Sequence, residues 1–249
     1  MPGWDTSLLH DRWQDDYERG RPGWPVEAVE AVGLDPGATV VDLGAGTGKL
    51  TRLLVQRYAQ VIAIEPDEGM RRALTAVCDG IEGTAEHLPL ADASVDAVFA
   101  AEAFHRFEGE RSVTEIGRVL RPGGTLALLW NVPGGDDHAD VAAAVDLMRS
   151  RAPEGLAYDA ADLNTWRYAS GAWREAFAES SFAALEEAHV SHEQEVDRDG
   201  LLAFFSSMGW LAELSSSERA AVLTEVRALL TQETYRRVWR THVYWTRAA

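Results

Sequence analysis

The sequence predicts an α/β protein built on a doubly wound, mostly parallel sheet, and three observations carry that expectation. Val40 to Leu50 reads VVDLGAGTGKL, a buried strand running through a glycine loop into a helix. Beyond it, short apolar runs alternate with helical stretches, and strand–helix–strand repetition means parallel strands joined by right-handed crossovers. The final VWRTHVYWTR alternates as a strand does and would complete the sheet.

The elements follow in order. Residues 1–35 read as a helical arm, with Trp4, Leu8, Leu9, Trp13 and Tyr17 at roughly helical spacing, ending in the breaker-rich RGRPGWP. Val40 and Val41 are β-branched, Asp42 closes the first strand, and Gly44, Gly46 and Gly48 follow at alternate positions. Residues without a Cβ let the backbone approach a ligand closely. A helix over Lys49 to Tyr58 would then aim its unpaired amides at the same space. A second strand spans Val61 to Glu65, a helix Pro66 to about Ala76, a short third strand Gly80 to Gly83, and an apolar fourth strand ends near Ala101. A helix from Arg111 to Leu120 meets Arg121-Pro-Gly-Gly124, a helix stop and tight turn before a fifth strand, Thr125 to Trp130. Residues 36–133 thus form a nucleotide-binding core. Residues 134–180 are Ala-rich, helical and longer than one crossover needs, so part of them should cap a substrate, with Trp166, Tyr168, Trp173 and Phe177 as core or pocket aromatics. Residues 181–249 complete the sheet: a sixth strand from Phe182 to Val196, helices over Arg198 to Met208 and Ser215 to Leu230, and the last strand. Ser215 to Ser217 with Glu218 in the first turn are the capping signal of the second helix.

Composition bounds the function. The chain has 249 residues, enough for one large domain with a modest insertion. Forty acidic against 23 basic residues give a formal charge of −17, which argues against a nucleic-acid backbone or an anionic membrane as partner. The single cysteine, Cys78, excludes an internal disulfide and a cysteine-rich zinc site, so no metal is expected. With no signal-like N-terminus and no apolar run of about 18 residues, a soluble cytoplasmic protein is expected.

The glycine spacing bears on which nucleotide is bound. A dinucleotide fold shows G-x-G-x-x-G, whereas here the third glycine comes one place early and an acidic residue stands two places before the first. Asp42, Gly44, Gly46 and Gly48 together resemble the first motif, D/E-x-G-x-G-x-G, of the class I S-adenosylmethionine (SAM)-dependent methyltransferases. That family's second mark is an acidic residue ending the next strand, and Glu65 stands there, 17 residues past Gly48. A carboxylate at that place can accept both ribose hydroxyls. The resemblance implies SAM as cofactor and a seven-stranded Rossmann-like sheet whose last strand is antiparallel and inserted beside the fifth.

Further motifs narrow the resemblance to a small-molecule subset similar to trans-aconitate methyltransferase-like (methyltransferase type 11) proteins. Their Y-x-x-x-R-P-x-Y-P signature stands here as Tyr17, Arg21, Pro22, Trp24 and Pro25, with Trp for the second Tyr. In those proteins the arm folds over the cofactor, so Tyr17 and Arg21 become candidate lid contacts. Thr84-Ala85-Glu86 occupies the place of an adenine-contacting D-A-x, with Thr84 for Asp; Ala85 offers its amide and Glu86 a substitute acceptor. The subset's A-Q-A-F-H-W-F loop after the fourth strand has Glu102 for Gln and Arg106 for Trp. By the same correspondence Ala45, Pro66, Met70, Ala101 and Glu102 join the expected cofactor contacts. The resemblance covers roughly Tyr17 to Asn131 and is architectural beyond.

Methyl transfer from a sulfonium needs mainly proximity, orientation and desolvation, because the donor is already activated. For a hydroxyl or amine acceptor a base helps, and His105 is the candidate. A carboxylate acceptor would need only an arginine clamp, from Arg21, Arg106 or Arg167. Trp24 and Asn131 are the remaining candidate contacts to a small-molecule acceptor. Two other readings stand beside methyl transfer to an oxygen, nitrogen or carboxylate: a SAM-binding protein with another reaction or a sensing role, and a dinucleotide oxidoreductase, which the spacing disfavours.

Overall fold

The computed structural model describes residues 13–135, 138–152 and 170–249. Its centre is one seven-stranded sheet in the order β3-β2-β1-β4-β5-β7-β6. The strands are β1 Thr39–Leu43, β2 Gln60–Ile64, β3 Gly80–Ile81, β4 Val95–Ala101, β5 Leu120–Pro133, β6 Glu186–Asp197 and β7 Thr234–Arg247. β3, β2, β1, β4 and β5 run parallel. β7 is antiparallel to both β5 and β6, inserted between them. The chain therefore winds outward from β1 in one direction and from β4 in the other, and the crevice between these two strands is the switch point of the sheet.

The pattern of side chains explains why the sheet is a middle layer. In β4, Val98 and Ala100 enter one core while Ala97 and Phe99 enter another, all of them fully buried. Such two-sided burial needs an apolar run, not an alternating one. Helix α5, Gly109–Val119, covers the first face with Val113, Ile116 and Val119. Each such side chain contributes roughly 1.5–3 kcal/mol when withdrawn from water. The second face holds α2, Val26–Glu30, and α3, Thr51–Leu54, through Ala28, Val29 and Leu54.

Several sequence boundaries differ from expectation; the sixth strand begins at Glu186 and not Phe182, and the last at Thr234 and not Val238. The helix after the glycine loop contracts to Thr51–Leu54, followed by turns. The Arg121 to Gly124 stretch is not a turn ahead of the fifth strand but an outward loop within it: Leu120 pairs with Val95, and pairing resumes at Thr125 with Ala97. The capping signals fare better. Ser215 caps the helix Ser216–Leu229 in a reciprocal box with Glu218, as read from the sequence.

A third core lies beyond the parallel strands. There α6, Ala139–Arg151, packs with α7, Arg198–Ser206, and α8, Ser216–Leu229, over Tyr235 and Trp239 of β7. Helix α1, Trp13–Gly20, opens the described part of the arm, which runs on through α2. It lies so close on α7 that a Cβ at Gly20 would fall 2.1 Å from the Phe204 amide nitrogen. Only glycine permits that crossing. Arg19 adds a forked contact to Asp197, and Ser206 donates to Asp16. Trp4, Leu8, Leu9, Trp166, Arg167 and Tyr168 lie outside the described residues. No described helix is long and apolar enough to cross a membrane.

Candidate functional site

A cavity of about 580 Å³ opens at the carboxyl ends of β1, β2, β4 and β5, over the switch point, with α1 across its mouth. Its floor is the glycine loop. The loop is held down by β2, since the Gly44 and Ala45 amides both donate to Ile64 O, at 2.8 and 3.1 Å. Gly44, Gly46 and Gly48 all take positive φ, yet each is used differently. At Gly44 a Cβ would stand 2.7 Å from the Ala103 Cβ, so this glycine lets β1 and the β4 loop close together. At Gly48 it would meet Leu74 Cδ1 at 2.6 Å, so the third glycine serves packing and does not line the cavity. At Gly46 it would meet nothing within 4 Å, because that position faces the cavity itself.

Two acids secure the loop. Asp42, at the end of β1, is buried and accepts from Thr51 Oγ1 at 2.6 Å. Burial pushes its pKa up to about 7, against the pull of that hydrogen bond. Glu65 follows β2 and receives the Gly46 amide at 2.9 Å and the Asp67 amide at 3.0 Å, one on each oxygen. Burial raises its pKa, the two amides opposing. Asp67 in turn caps α4, Glu68–Leu74, by accepting the Met70 amide at 2.7 Å, which sets Met70 in the cavity wall.

The arm supplies the cover. Glu18 accepts from Thr47 Oγ1 at 2.6 Å and pairs with Arg52 at 3.0 Å, while its carbonyl receives Lys49 Nζ at 2.6 Å. Tyr17 and Arg21 look into the cavity from above, and burial raises the Tyr17 pKa and lowers that of Arg21. Arg21 is seated by Ser207, through Nε to Oγ at 2.8 Å and Nη2 to the carbonyl at 3.2 Å, and by the rings of Tyr17 and Phe204.

The loop after β4 is the fourth wall. Glu102 has φ +51°, a left-handed backbone that a residue with a side chain enters at some cost. Its Oε1 accepts the Asn131 amide at 2.8 Å, and burial lifts its pKa to about 7 despite that bond and the nearby Arg21 and Arg106. Thr84, Ala85 and Glu86 close the far side. Glu86 Oε1 accepts from the Glu108 amide and Ser112 Oγ at 2.8 and 2.9 Å. Burial works against the Glu86 charge, and these bonds outweigh it, leaving the pKa below its ordinary value.

Most of the residues singled out from sequence thus meet in one place: Tyr17, Arg21, Trp24, Asp42, Gly44 to Gly46, Glu65, Pro66, Met70, Thr84 to Glu86, Ala101, Glu102, Arg106 and Asn131 all line the cavity. Three expectations are corrected or refined. Gly48 packs behind the loop. His105 does not line the cavity; its Nδ1 faces the indole of Trp130, 3.4 Å from Nε1, in the core beneath. Asn131 borders the cavity, but its amide is engaged, donating to Gly23 O and accepting from Thr241 Oγ1. The sequence reading missed Trp13, Lys49, Phe107 and Trp239 in the lining. Trp13 stands one helical turn before Tyr17 and could have been found by that spacing; Trp239 comes from the far end of the chain, where nothing local marks it.

Comparison with known proteins points in the same direction as the site. Residues 41–128 match the family described as a methyltransferase domain. Over that stretch the chain is similar to methyltransferase domains. An uncharacterized methyltransferase of Mycobacterium tuberculosis is 48% identical over 130 residues, 51% of this chain and 54% of that one. The chain therefore spans about half the length of the mycobacterial relatives it matches. An uncharacterized methyltransferase-like protein of Schizosaccharomyces pombe is 29% identical over 219 residues, 85% of this chain and 81% of that one. In fold, the chain resembles a putative type II methyltransferase from Anaeromyxobacter dehalogenans, with a TM-score of 0.66 at 23% identity, covering 91% and 97% of the two chains. A domain of this kind takes SAM as methyl donor together with an acceptor. The residues present fit that donor. Gly46 presents no side chain to the cavity, Glu65 offers acceptor oxygens beside the loop, and the volume suits a nucleoside carrying an amino-acid arm.

Proposed function

We propose that this chain transfers a methyl group from SAM to an oxygen, nitrogen or carboxylate of a small-molecule acceptor. The observation that carries the reading is the cavity: one space in which the glycine loop, Glu65, Thr84 to Glu86 and the β4 loop converge beneath the arm. When bound, SAM supplies an electrophilic methyl on a sulfonium. The chain's own work is to bind, orient and exclude water. Gly44 to Gly46 make the floor, Glu65 accepts ribose hydroxyls once the Gly46 amide yields, and Met70 with Pro66 provides apolar wall. Ala85 offers its amide to the adenine edge, and Thr84 or Glu86 an acceptor. Tyr17 and Arg21, on the arm of residues 1–35, close the site. Trp24 and Arg106 face the acceptor side; of residues 134–180, expected in part to cap the substrate, the described ones contribute to the cores and do not line the cavity.

His105 loses its support as a proton acceptor, because its ring is directed to Trp130 and not to the cavity. Titration calorimetry of the purified chain against SAM and NAD tests the cofactor; NAD binding without SAM binding would sink the reading. Mass analysis of products after incubation with SAM and panels of phenols, amines and carboxylic acids tests the transfer. Tight SAM binding with no methylated product in any panel would favour the sensing or non-transfer alternative.

A further inference from the structure

The arm leaves α1 at Gly20 and continues as Arg21-Pro22-Gly23-Trp24-Pro25, in which Pro22 and Pro25 carry no amide hydrogen. The last carbonyls of a helix have no partner within it, so the carbonyls here need donors from outside. Two carboxamides of the sheet supply them. Gln194 of β6 donates Nε2 to Gly20 O at 3.3 Å, and Asn131 of β5 donates Nδ2 to Gly23 O at 3.1 Å. The register sets both on one face of the sheet, together with Thr241, His192 and Trp239.

Neither amide can turn over. A carboxamide aims its nitrogen in a set direction where its oxygen is fixed as an acceptor. Asn131 Oδ1 accepts from Thr241 Oγ1 at 2.6 Å and lies 3.2 Å from His192 Nε2, which serves it as a donor. Gln194 Oε1 accepts from the indole Nε1 of Trp239 at 3.1 Å. Reversing either amide would set its oxygen against an arm carbonyl and its N–H groups against the donors that hold it. Between the two carbonyls lie Arg21 and Pro22, with Tyr17 and Trp24 on either side, and all four line the cavity.

We propose that Asn131 and Gln194 are a pair of positioning residues: their amide groups, oriented by Thr241, His192 and Trp239, dock the arm from Gly20 to Gly23 on the sheet and so place its side chains over the cavity. The edge strand β6, which contributes no described residue to the lining, thereby takes part in shaping the site. The effect on cofactor binding rests on the SAM reading, whereas the docking of the arm does not.

Isosteric acids test the donated bonds alone. Gln194→Glu keeps an oxygen for Trp239 Nε1, and Asn131→Asp keeps one for Thr241 and His192, but each faces its arm carbonyl with an oxygen. Hydrogen–deuterium exchange of the unliganded full chain should show peptides spanning Tyr17 to Trp24 exchanging about ten-fold faster in each variant, the scale of one hydrogen bond left unmade, with those of β1 and β4 unchanged. Gln194→Met removes donor and acceptor together and should loosen the arm at least as much. His192→Leu should loosen it about three-fold, and His192→Gln, which restores a donor for Asn131 Oδ1, should keep it within about two-fold of the unaltered chain. Calorimetry should show S-adenosylhomocysteine bound about three- to ten-fold less tightly by both acid variants. Unaltered arm exchange in both acid variants, at unchanged melting temperature, would overturn the docking role. Loosening in Gln194→Met but not in Gln194→Glu would do the same, leaving Gln194 a partner of Trp239 only. Faster arm exchange with affinity intact would overturn the placement of the side chains over the site. If the unaltered chain binds no S-adenosylhomocysteine while the exchange differences persist, the SAM reading falls and the docking stands.

Discussion

The cavity is shaped by the parallel strands on one side and by a flank of β7, β6, α7 and the arm on the other, which reaches the lining through arm residues and Trp239, and the two build it by different means. The parallel part works through backbone: a glycine-rich loop, amides given to Ile64 O and Glu65, and a wall whose geometry is set within the single stretch from Val40 to Met70. The flank works through side chains brought from opposite ends of the chain. Arg21 meets Ser207, Gly20 meets Phe204, Asn131 meets Gly23 and Thr241, and Trp239 reaches the lining from β7. A cofactor floor made of backbone demands particular residues at fixed spacing. A cover made of long-range contacts demands only complementary surfaces, which many sequences satisfy.

The sharpest break of that contrast is Gly46→Val. The site is open where the side chain would go, so the fold should survive with a modest loss from the left-handed φ of +57°. Binding of S-adenosylhomocysteine should fall by about 100-fold or more, roughly 2.7 kcal/mol. A folded variant with unchanged affinity would place the cofactor elsewhere.

Asp42 tests the same backbone floor through pH. Its pKa lies near 7 in the folded chain against 3.8 ordinarily. Between those values the unfolded chain is ionised while the folded one keeps its proton, so stability from this group falls as pH rises, and above about 7 the whole penalty stands. That penalty is on the order of 2–4 kcal/mol. Asp42→Asn retains an oxygen for Thr51 Oγ1 and has no proton to lose. Its melting temperature, compared with the unaltered chain at pH 5 and pH 8, should gain relative stability at the higher value. Parallel curves for the two proteins would show that Asp42 ionises freely.

Gly20→Ala moves to the flank. The added methyl would strike the Phe204 backbone, so the arm should lift from α7 while the sheet stays intact. Limited proteolysis should cut the arm sooner, and S-adenosylhomocysteine should bind about ten-fold less tightly, near 1.4 kcal/mol. Unaltered protection of the arm together with unaltered affinity would separate the arm from the site.

The same division explains what could be read from the sequence. The parallel strands through Trp130 were legible because periodicity is local, and the glycine spacing placed Asp42 to Gly46 and Glu65 at the cavity for the same reason, whereas the antiparallel seventh strand beside the fifth came only from the family resemblance. Gly48 was misassigned because a glycine that admits a ligand and one that admits Leu74 look alike in sequence. Asn131 was named for its place after the strand, but its amide partners lie 108 and 110 residues away and leave no local trace. Trp239 was missed for the same reason.

His105 should give the smallest effect, and it decides whether a loop position after β4 implies a role in the chemistry. Its neighbours Ala103, Arg106 and Phe107 border the cavity, but the three-residue 3₁₀ turn Phe104–Arg106 carries its ring toward Trp130, which is 1% exposed within the first core. A contact of 3.4 Å between Nε1 and Nδ1 is at the long end for a hydrogen bond. Its net worth is then at or below about 0.5 kcal/mol, or 1–2 °C in a chain of this size. His105→Gln should accordingly bind S-adenosylhomocysteine within about two-fold of the unaltered chain and melt slightly earlier. With an acceptor found by product mass, turnover should hold within a few-fold and keep any acidic limb of its pH profile. A loss of 10²-fold or more in kcat with that limb abolished is the signature of a general base. Such a result would return His105 to the mechanism and require the β4 loop to turn inward once the acceptor binds.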